Sequence, residues 1–217
     1  MSDKPVIIMG TGGHAKVITD MLKLSGREVL GFVTPDLKVD TEFCDKNVLG
    51  NDAVINKYSS AEIELANGVG SLPRKNLRWE LAEKMRQQGY KFATIIHPDA
   101  VIASDVSLGE GVQVMAGVVI QSGTQVGQDS IINTGALIDH DCKIAENCHL
   151  APGVVLSGGV VVGKYSHIGT GVKITHYITI NKNCIIAAGT TVHNDVPSNM
   201  LTKHRLKTIM DKVDNHA

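Results

Sequence analysis

A chain of 217 residues with 21 basic and 22 acidic side chains has room for one or two domains and a sizeable core. Its net charge of −1 offers no electrostatic footprint for nucleic acid or an anionic membrane surface, so its partners are expected to be small molecules or copies of itself. With no N-terminal signal pattern and no apolar run of about 18 residues, a cytoplasmic protein without membrane insertion is expected.

Val6-Ile7-Ile8-Met9 is an apolar run of buried-strand type that leads into Gly10-Thr11-Gly12-Gly13-His14-Ala15. A helix over 15–25 follows, with Val17, Ile18, Met21, Leu22 and Leu24 on one apolar side and Gly26 as its stop. Residues 28–33 read as a second strand, 61–66 as a third and 74–88 as an amphipathic helix. This alternation predicts a small doubly wound parallel sheet, an α/β Rossmann-like domain over 1–92. Gly10-x-Gly12-x-x-Ala15 has the spacing of small residues that lets backbone N–H groups approach a diphosphate at a helix N-terminus. Asp36 lies about twenty residues on, where a ribose-binding acid stands in such domains. The carboxyl ends of the strands would gather a ligand beside Gly12, Gly13, His14, Val33, Thr34 and the Gly68-Val69-Gly70 turn. His14 reads equally as a donor to phosphate or sugar and as a helix cap.

From Ile96 to Val192 every sixth residue is aliphatic, and two positions before each the side chain is usually small, Ile178 being the exception. A period of six fits neither helix nor hairpin; it is a β-helix signature, three hexads making one triangular coil whose two repeating columns fill the interior. Gly109, Gly111, Gly127, Asp129, Asn147, Gly163 and Asn183 are the expected corners. The coil is assigned to 93–198 and a C-terminal tail to 199–217. Cys142, Cys148 and Cys184 fall in the small column and Cys44 stands alone, so buried small hydrophobes are expected rather than a metal or redox site.

His140 follows Ile138 by two positions, outside both inward columns, and is flanked by Asp139 and Asp141. An adjacent carboxylate holds an imidazole in one tautomer and raises its basicity, which makes His140 the general-base candidate. His149 and His167 are 18 residues apart and stack in adjacent coils. His149 lies nine residues after His140, half a coil, so the two can share a site only across subunits.

Gly12-Gly13-His14-Ala15-Lys16, the hexapeptide coil and Asn133-Thr134…Asp139-His140-Asp141-Cys142 together resemble the sugar acyltransferases of the NeuD and PglD type, over about residues 4–196. The resemblance implies a left-handed β-helix assembled as a homotrimer, with acetyl-CoA as co-substrate along the coils between neighbouring subunits. It implies a UDP-linked 4-amino-dideoxy-sugar on the N-terminal domain, acetylated on its amino group for surface glycan synthesis. His140 looks like the family's proton acceptor, with Asp141 standing where the family often has Glu. Gly12, Gly13 and His14 match the nucleotide-sugar loop, Asn133 belongs to the substrate-side motif, and His149 matches a histidine that contacts acetyl-CoA. Thr170 and Ala188, one coil apart, fall where backbone contacts to the cofactor are expected. No nucleophile elbow or activated cysteine is present, so direct attack is expected, with backbone N–H groups near Gly158 stabilising the oxyanion. The nearest rival is O-acetylation of a sialic acid-type sugar. An NAD-dependent oxidoreductase and a non-catalytic scaffold are the readings from other classes. Two departures stand out: Thr34-Pro35 followed by Asp36 replaces an acidic pair, and Pro197 to Arg205 replaces the customary Gly-Val-Pro-Ala-Lys ending.

Overall fold

The computed structural model describes residues 3–202; the rest of the expected tail, including Lys203, His204 and Arg205, lies outside the described residues. The N-terminal unit comprises β1 (Val6–Met9), α1 (Gly13–Leu24), β2 (Val29–Val33), β3 (Glu42–Phe43), β4 (Lys46–Gly50), β5 (Glu64–Asn67) and α2 (Leu77–Gln87). Its sheet order is β3-β4-β2-β1-β5, parallel except for the β3–β4 hairpin. All four β1 side chains are buried because both faces are covered. Val6 and Ile8 join Ala15, Ile18, Met21 and Leu22 of α1, whereas Ile7 and Met9 join Ala82 and Met85 of α2.

The structure corrects several sequence readings. Val17 and Leu24 face solvent at 45% and 55% exposure. The buried stripe of α1 instead takes in Thr19, whose hydroxyl is satisfied by the Ala15 carbonyl at 2.7 Å. The third strand runs over Glu64–Asn67 rather than 61–66, and α2 begins at Leu77 rather than 74. The β3–β4 hairpin was not legible, since its turn uses Cys44 and Asp45 at positive φ in place of an Asn-Gly pair.

From Ile95 the chain winds as a left-handed parallel β-helix of two-residue strands. The first face carries Ile95–Ile96, Gln113–Val114, Ile131–Ile132, His149–Leu150, His167–Ile168 and Ile185–Ile186. The second carries Val101–Ile102, Val119–Ile120, Leu137–Ile138, Val155–Leu156, Lys173–Ile174 and Thr191–Val192. The third runs from Ser107–Leu108 to Thr179–Ile180. Strands pair 18 residues apart in unbroken register, so the second residue of each points inward, as the hexad pattern requires. The corners divide into two kinds. From Gly111 to Gly189 every sixth residue has positive φ, and Asp129, Asp141, Asn147 and Asn183 share that conformation. Gly109, Gly127 and Gly163 sit at a different phase; a Cβ at Gly127 would lie 2.5 Å from the Glu146 nitrogen, so closeness of the next coil fixes those glycines.

The small column is held by repeated side-chain bonds. Ser130 donates to the Ala145 carbonyl at 2.8 Å and accepts from the Cys148 N–H one coil on at 3.0 Å. Thr124 with Cys142, and Ser166 with Cys184, repeat the pattern. Burial pushes the Cys142 thiol up to about 11 and the Cys148 thiol up to about 12. Because Cys142, Cys148 and Cys184 are all buried, a thiol reagent at pH 8 is expected to modify the half-buried Cys44 well ahead of them. Equal rates at all four would show that the coil opens under native conditions.

The N-terminal unit seats on the first face and on the corner joining it to the third. Arg86 of α2 donates to Asp129 at 2.6 and 2.9 Å and to Glu110 at 3.0 Å, and Trp79 meets Tyr165 with ring centroids 4.5 Å apart. The α1 side of the sheet and the coil interior share one continuous core. This seating leaves the second face uncovered, and with it the corner bearing His140.

Candidate active site

His140 stands at the corner between the second and third faces, just past Leu137–Ile138. Its Nδ1 lies 2.8 Å from Asp141 Oδ2, and its backbone N–H donates to Asp139 Oδ1 at 2.8 Å. A carboxylate accepts, so Nδ1 carries the proton and Nε2 keeps its lone pair. The Asp141 hydrogen bond, helped by the charge of Asp139, holds the imidazole above its ordinary pKa. The ring is half-exposed and lies over Gly158, one coil on, where a Cβ would be 2.5 Å from Nε2. Ser157 and Gly159 donate their N–H groups to Ile174 and His140 carbonyls, whereas the Gly158 N–H has no acceptor among the described residues. A basic nitrogen, its orienting acid and a free backbone donor thus meet at one corner. That set can take a proton and stabilise a developing oxyanion.

A second constellation lies where the N-terminal unit meets the first face. Gly12 caps α1 with no side-chain bond and no acidic residue in the first turn, so the helix start offers free N–H groups. Gly12 and Gly13 have ordinary φ, and nothing lies within 4 Å of where their Cβ atoms would be. The surface beside these two glycines is therefore open. Gly68 is different: a Cβ would meet Met9 O at 2.8 Å and Ala15 Cβ at 2.9 Å, so close packing demands it. Gly70 lies against His14. Arg78, buried in α2, donates to the Asn67 and Val69 carbonyls at 2.8 and 2.7 Å and so fixes this loop. Thr34 is buried at the end of β2, its hydroxyl accepting from the Asp36 N–H at 3.2 Å within its own turn.

His14 Nε2 reaches Gln113 Oε1 on the first face at 2.7 Å. Burial first, and then the Arg78 charge, lowers its pKa to about 4. His149 is lowered to about 3, by burial and then by His167, His14 and Arg78. Its Nε2 lies 3.2 Å from Asn133 Nδ2 and its Nδ1 3.2 Å from His167 Nδ1. Burial lowers the pKa of His167 as well, so three neutral imidazoles and one buried guanidinium line this junction. The expected site residues other than Thr34, which is buried and bonded within its own turn, fall into three groups. Gly12, Gly13, His14, Gly70, Asn133 and His149 gather at the junction, and His140, Asp141 and Gly158 at the free corner. Thr170 and Ala188 stack at the corner between the first and second faces, across the second face from His140. Gln113, Asn67 and Arg78 were missed, because nothing local in the sequence says which coil face the N-terminal unit covers.

A left-handed hexapeptide coil with a histidine–carboxylate corner, carried behind a Rossmann-like unit, defines the hexapeptide acyltransferase class. Comparison with known proteins narrows it. Residues 5–85 match the PglD N-terminal domain and residues 123–158 the bacterial transferase hexapeptide (six repeats). A mutant of perosamine N-acetyltransferase from Caulobacter crescentus, solved with CoA and GDP-perosamine, is 36% identical over 92% of this chain and 93% of its own, with a TM-score of 0.84. The acetyltransferase domain of PglB from Neisseria gonorrhoeae, solved with acetyl coenzyme A, is 28% identical over 92% of this chain and 96% of its own, with a TM-score of 0.85. UDP-N-acetylbacillosamine N-acetyltransferase from Bacillus subtilis is 32% identical over 115 residues, about half the length of each chain (52%). The chain belongs to the PglD-type family of hexapeptide-repeat sugar acyltransferases.

Proposed function

We propose that this protein transfers the acetyl group of acetyl-CoA to the amino group of a nucleotide-linked 4-amino-dideoxy-sugar, with His140 as general base. The carrying observation is the His140 corner: Nδ1–H held by Asp141 and Nε2 free beside the unpartnered Gly158 N–H. The amine nitrogen attacks the thioester carbonyl and gives a proton to Nε2, the Gly158 N–H receives the oxyanion, and collapse releases the CoA thiolate, which recovers the proton. The Bacillus and Caulobacter relatives are named as N-acetyltransferases, which favours an amine over a hydroxyl acceptor. Sequence reading pointed to UDP as the carrier, and the Bacillus relative is named for a UDP-sugar, the Caulobacter one for a GDP-sugar complex. An assay of free CoA release from acetyl-CoA with UDP- and GDP-linked 4-amino-sugars decides the nucleotide. No turnover with either would overturn the reading.

The site is completed by a second copy in a homotrimer. The outward residues of the second face begin with four stacked aliphatic side chains, Val101, Val119, Leu137 and Val155, of which Val101 is 63% exposed. A shallow groove of about 360 Å³ along Val119, Leu137 and Val155 runs beside Asp139 and Ser157 of the His140 corner. Covering this face by a neighbour brings that neighbour's junction residues to His140, which its own chain does not do. Sedimentation as a monomer at micromolar concentration would exclude this arrangement.

The Asp141 bond also sets a pH signature. A base works deprotonated, so activity rises with pH through the His140 pKa, which Asp141 raises. Asp141→Asn is expected to move the acid limb of kcat/KM toward lower pH and to lower the plateau less than loss of His140 does. An unmoved acid limb would show that another group sets it.

A further inference from the structure

We propose that Gln113 is a positioning residue that fixes His14 as the neutral Nε2–H tautomer, leaving Nδ1 to accept a hydrogen bond from a hydroxyl or amine of the bound sugar. The inference rests on the reading that a nucleotide-sugar occupies the junction between the N-terminal unit and the first face.

The assignment follows from donor and acceptor chemistry along one chain of bonds. Gln113 Nε2 lies 3.0 Å from the Asn67 carbonyl oxygen, which can only accept, so this end of the amide is the NH₂. The other end, Oε1, is then the atom 2.7 Å from His14 Nε2, and an amide oxygen can only accept. The imidazole proton is therefore on Nε2. The anchor is itself fixed: the Asn67 carbonyl also accepts from Arg78 at 2.8 Å, and the Asn67 side chain donates to the Arg78 carbonyl at 2.9 Å. Gln113 is 1% exposed and cannot turn away to solvent. Nδ1 of His14 has no partner among the described residues and is not among the buried unpartnered atoms.

Burial and the neighbouring Arg78 hold the ring neutral, with a pKa of about 4. A neutral imidazole whose N–H is already engaged offers neither charge nor a donor to a phosphate. It offers one lone pair. Diphosphate recognition then falls to the free N–H groups at the start of α1, and His14 reads the donor pattern of the sugar. His14 as a side-chain donor to phosphate or sugar, one of the two readings open from sequence, does not fit this geometry.

Long-range ¹H–¹⁵N spectra of the full-length protein with labelled histidine read the tautomer directly. Wild-type His14 is expected to be Nε2–H and neutral at pH 7, and its Nδ1 resonance is expected to shift on adding the nucleotide-sugar. Gln113→Leu should give a mixed tautomer and raise KM for the nucleotide-sugar about tenfold, the worth of one hydrogen bond, with kcat held within about threefold. Gln113→Glu puts a carboxylate against Nε2 and loses the donor to Asn67, so His14 should become doubly protonated, lose its Nδ1 lone pair and raise KM at least as much as the leucine variant does. It also serves if the leucine variant fails to fold. A wild-type His14 that is Nδ1–H or doubly protonated overturns the proposal, as does an unchanged KM in a Gln113→Leu protein whose tautomer has changed. A protein with the expected tautomer whose His14 ignores every nucleotide-sugar loses the substrate reading and the sugar contact with it. One that turns the sugar over with His14 protonated on Nδ1 loses the positioning alone.

Discussion

His140→Ala is expected to lower kcat by about 10²–10⁴, the usual worth of a general base, with the melting temperature little changed. The side chain is 49% exposed at a corner and touches neither inward column, so its removal opens no core cavity. What is lost is chemical. In the proposed reaction the attacking amine becomes more acidic as its bond to the carbonyl carbon forms, Nε2 receives that proton, and Asp141 steadies the resulting imidazolium. KM for acetyl-CoA should stay near wild type, because the interaction is made in the transition state rather than on binding. Steady-state kinetics beside thermal unfolding checks both halves. A variant keeping more than about a third of wild-type kcat, far outside the general-base range, would remove His140 from the role and turn attention to His14 or His149.

Gly158→Ala is expected to lower kcat by about 10²-fold, as a displacement near 1 Å of a reacting group does, again in a folded protein. The backbone of Gly158 is not in the left-handed region, so alanine is conformationally acceptable there. Its Cβ would lie 2.5 Å from His140 Nε2 and 2.6 Å from Cε1, and one of the two must yield. The imidazole yields, since it is half-exposed whereas the coil backbone is held on both sides by strand pairing. The ring swings off its Asp141 bond, and a methyl group shields the free N–H. Thermal unfolding close to wild type together with a collapsed kcat would establish Gly158 as the seat of the base. Retention of full activity would show that the ring finds a second productive position.

The two substitutions probe one corner from opposite sides. Alanine at 140 deletes the proposed base and leaves the proposed donor; alanine at 158 leaves the imidazole and misplaces it. If both act on the same step, the double variant should lose little more than His140→Ala alone, because a base already absent cannot be displaced.

The coil and its corner were legible because their information is local and repeated. A side chain two positions before or at every sixth residue has one environment, set by the strand spacing, so Cys142, Cys148 and Cys184 could be placed inward and His140 outward by counting alone. The pairing of His140 with Asp141 was equally legible, since adjacent residues at a left-handed corner meet whatever the rest of the chain does. The stacking of His149 on His167 followed from their separation of 18 residues. Within the N-terminal unit the Gly10–Ala15 loop and β1 were fixed by an apolar run ending in glycines. The β3–β4 hairpin was not, because its turn residues carry no marked preference. What only the tertiary structure decided is the seating of that unit on the first face. The seating depends on Arg86 finding Asp129 and Glu110, and on α1 sharing its core with the coil, contacts between residues far apart in the chain. It alone brings Gln113 to His14 across 99 positions, buries His149 near His14, and leaves the second face open beside His140. Periodicity fixes which way a side chain points, but the partner it meets is chosen by the complementarity of two surfaces, which no local pattern records.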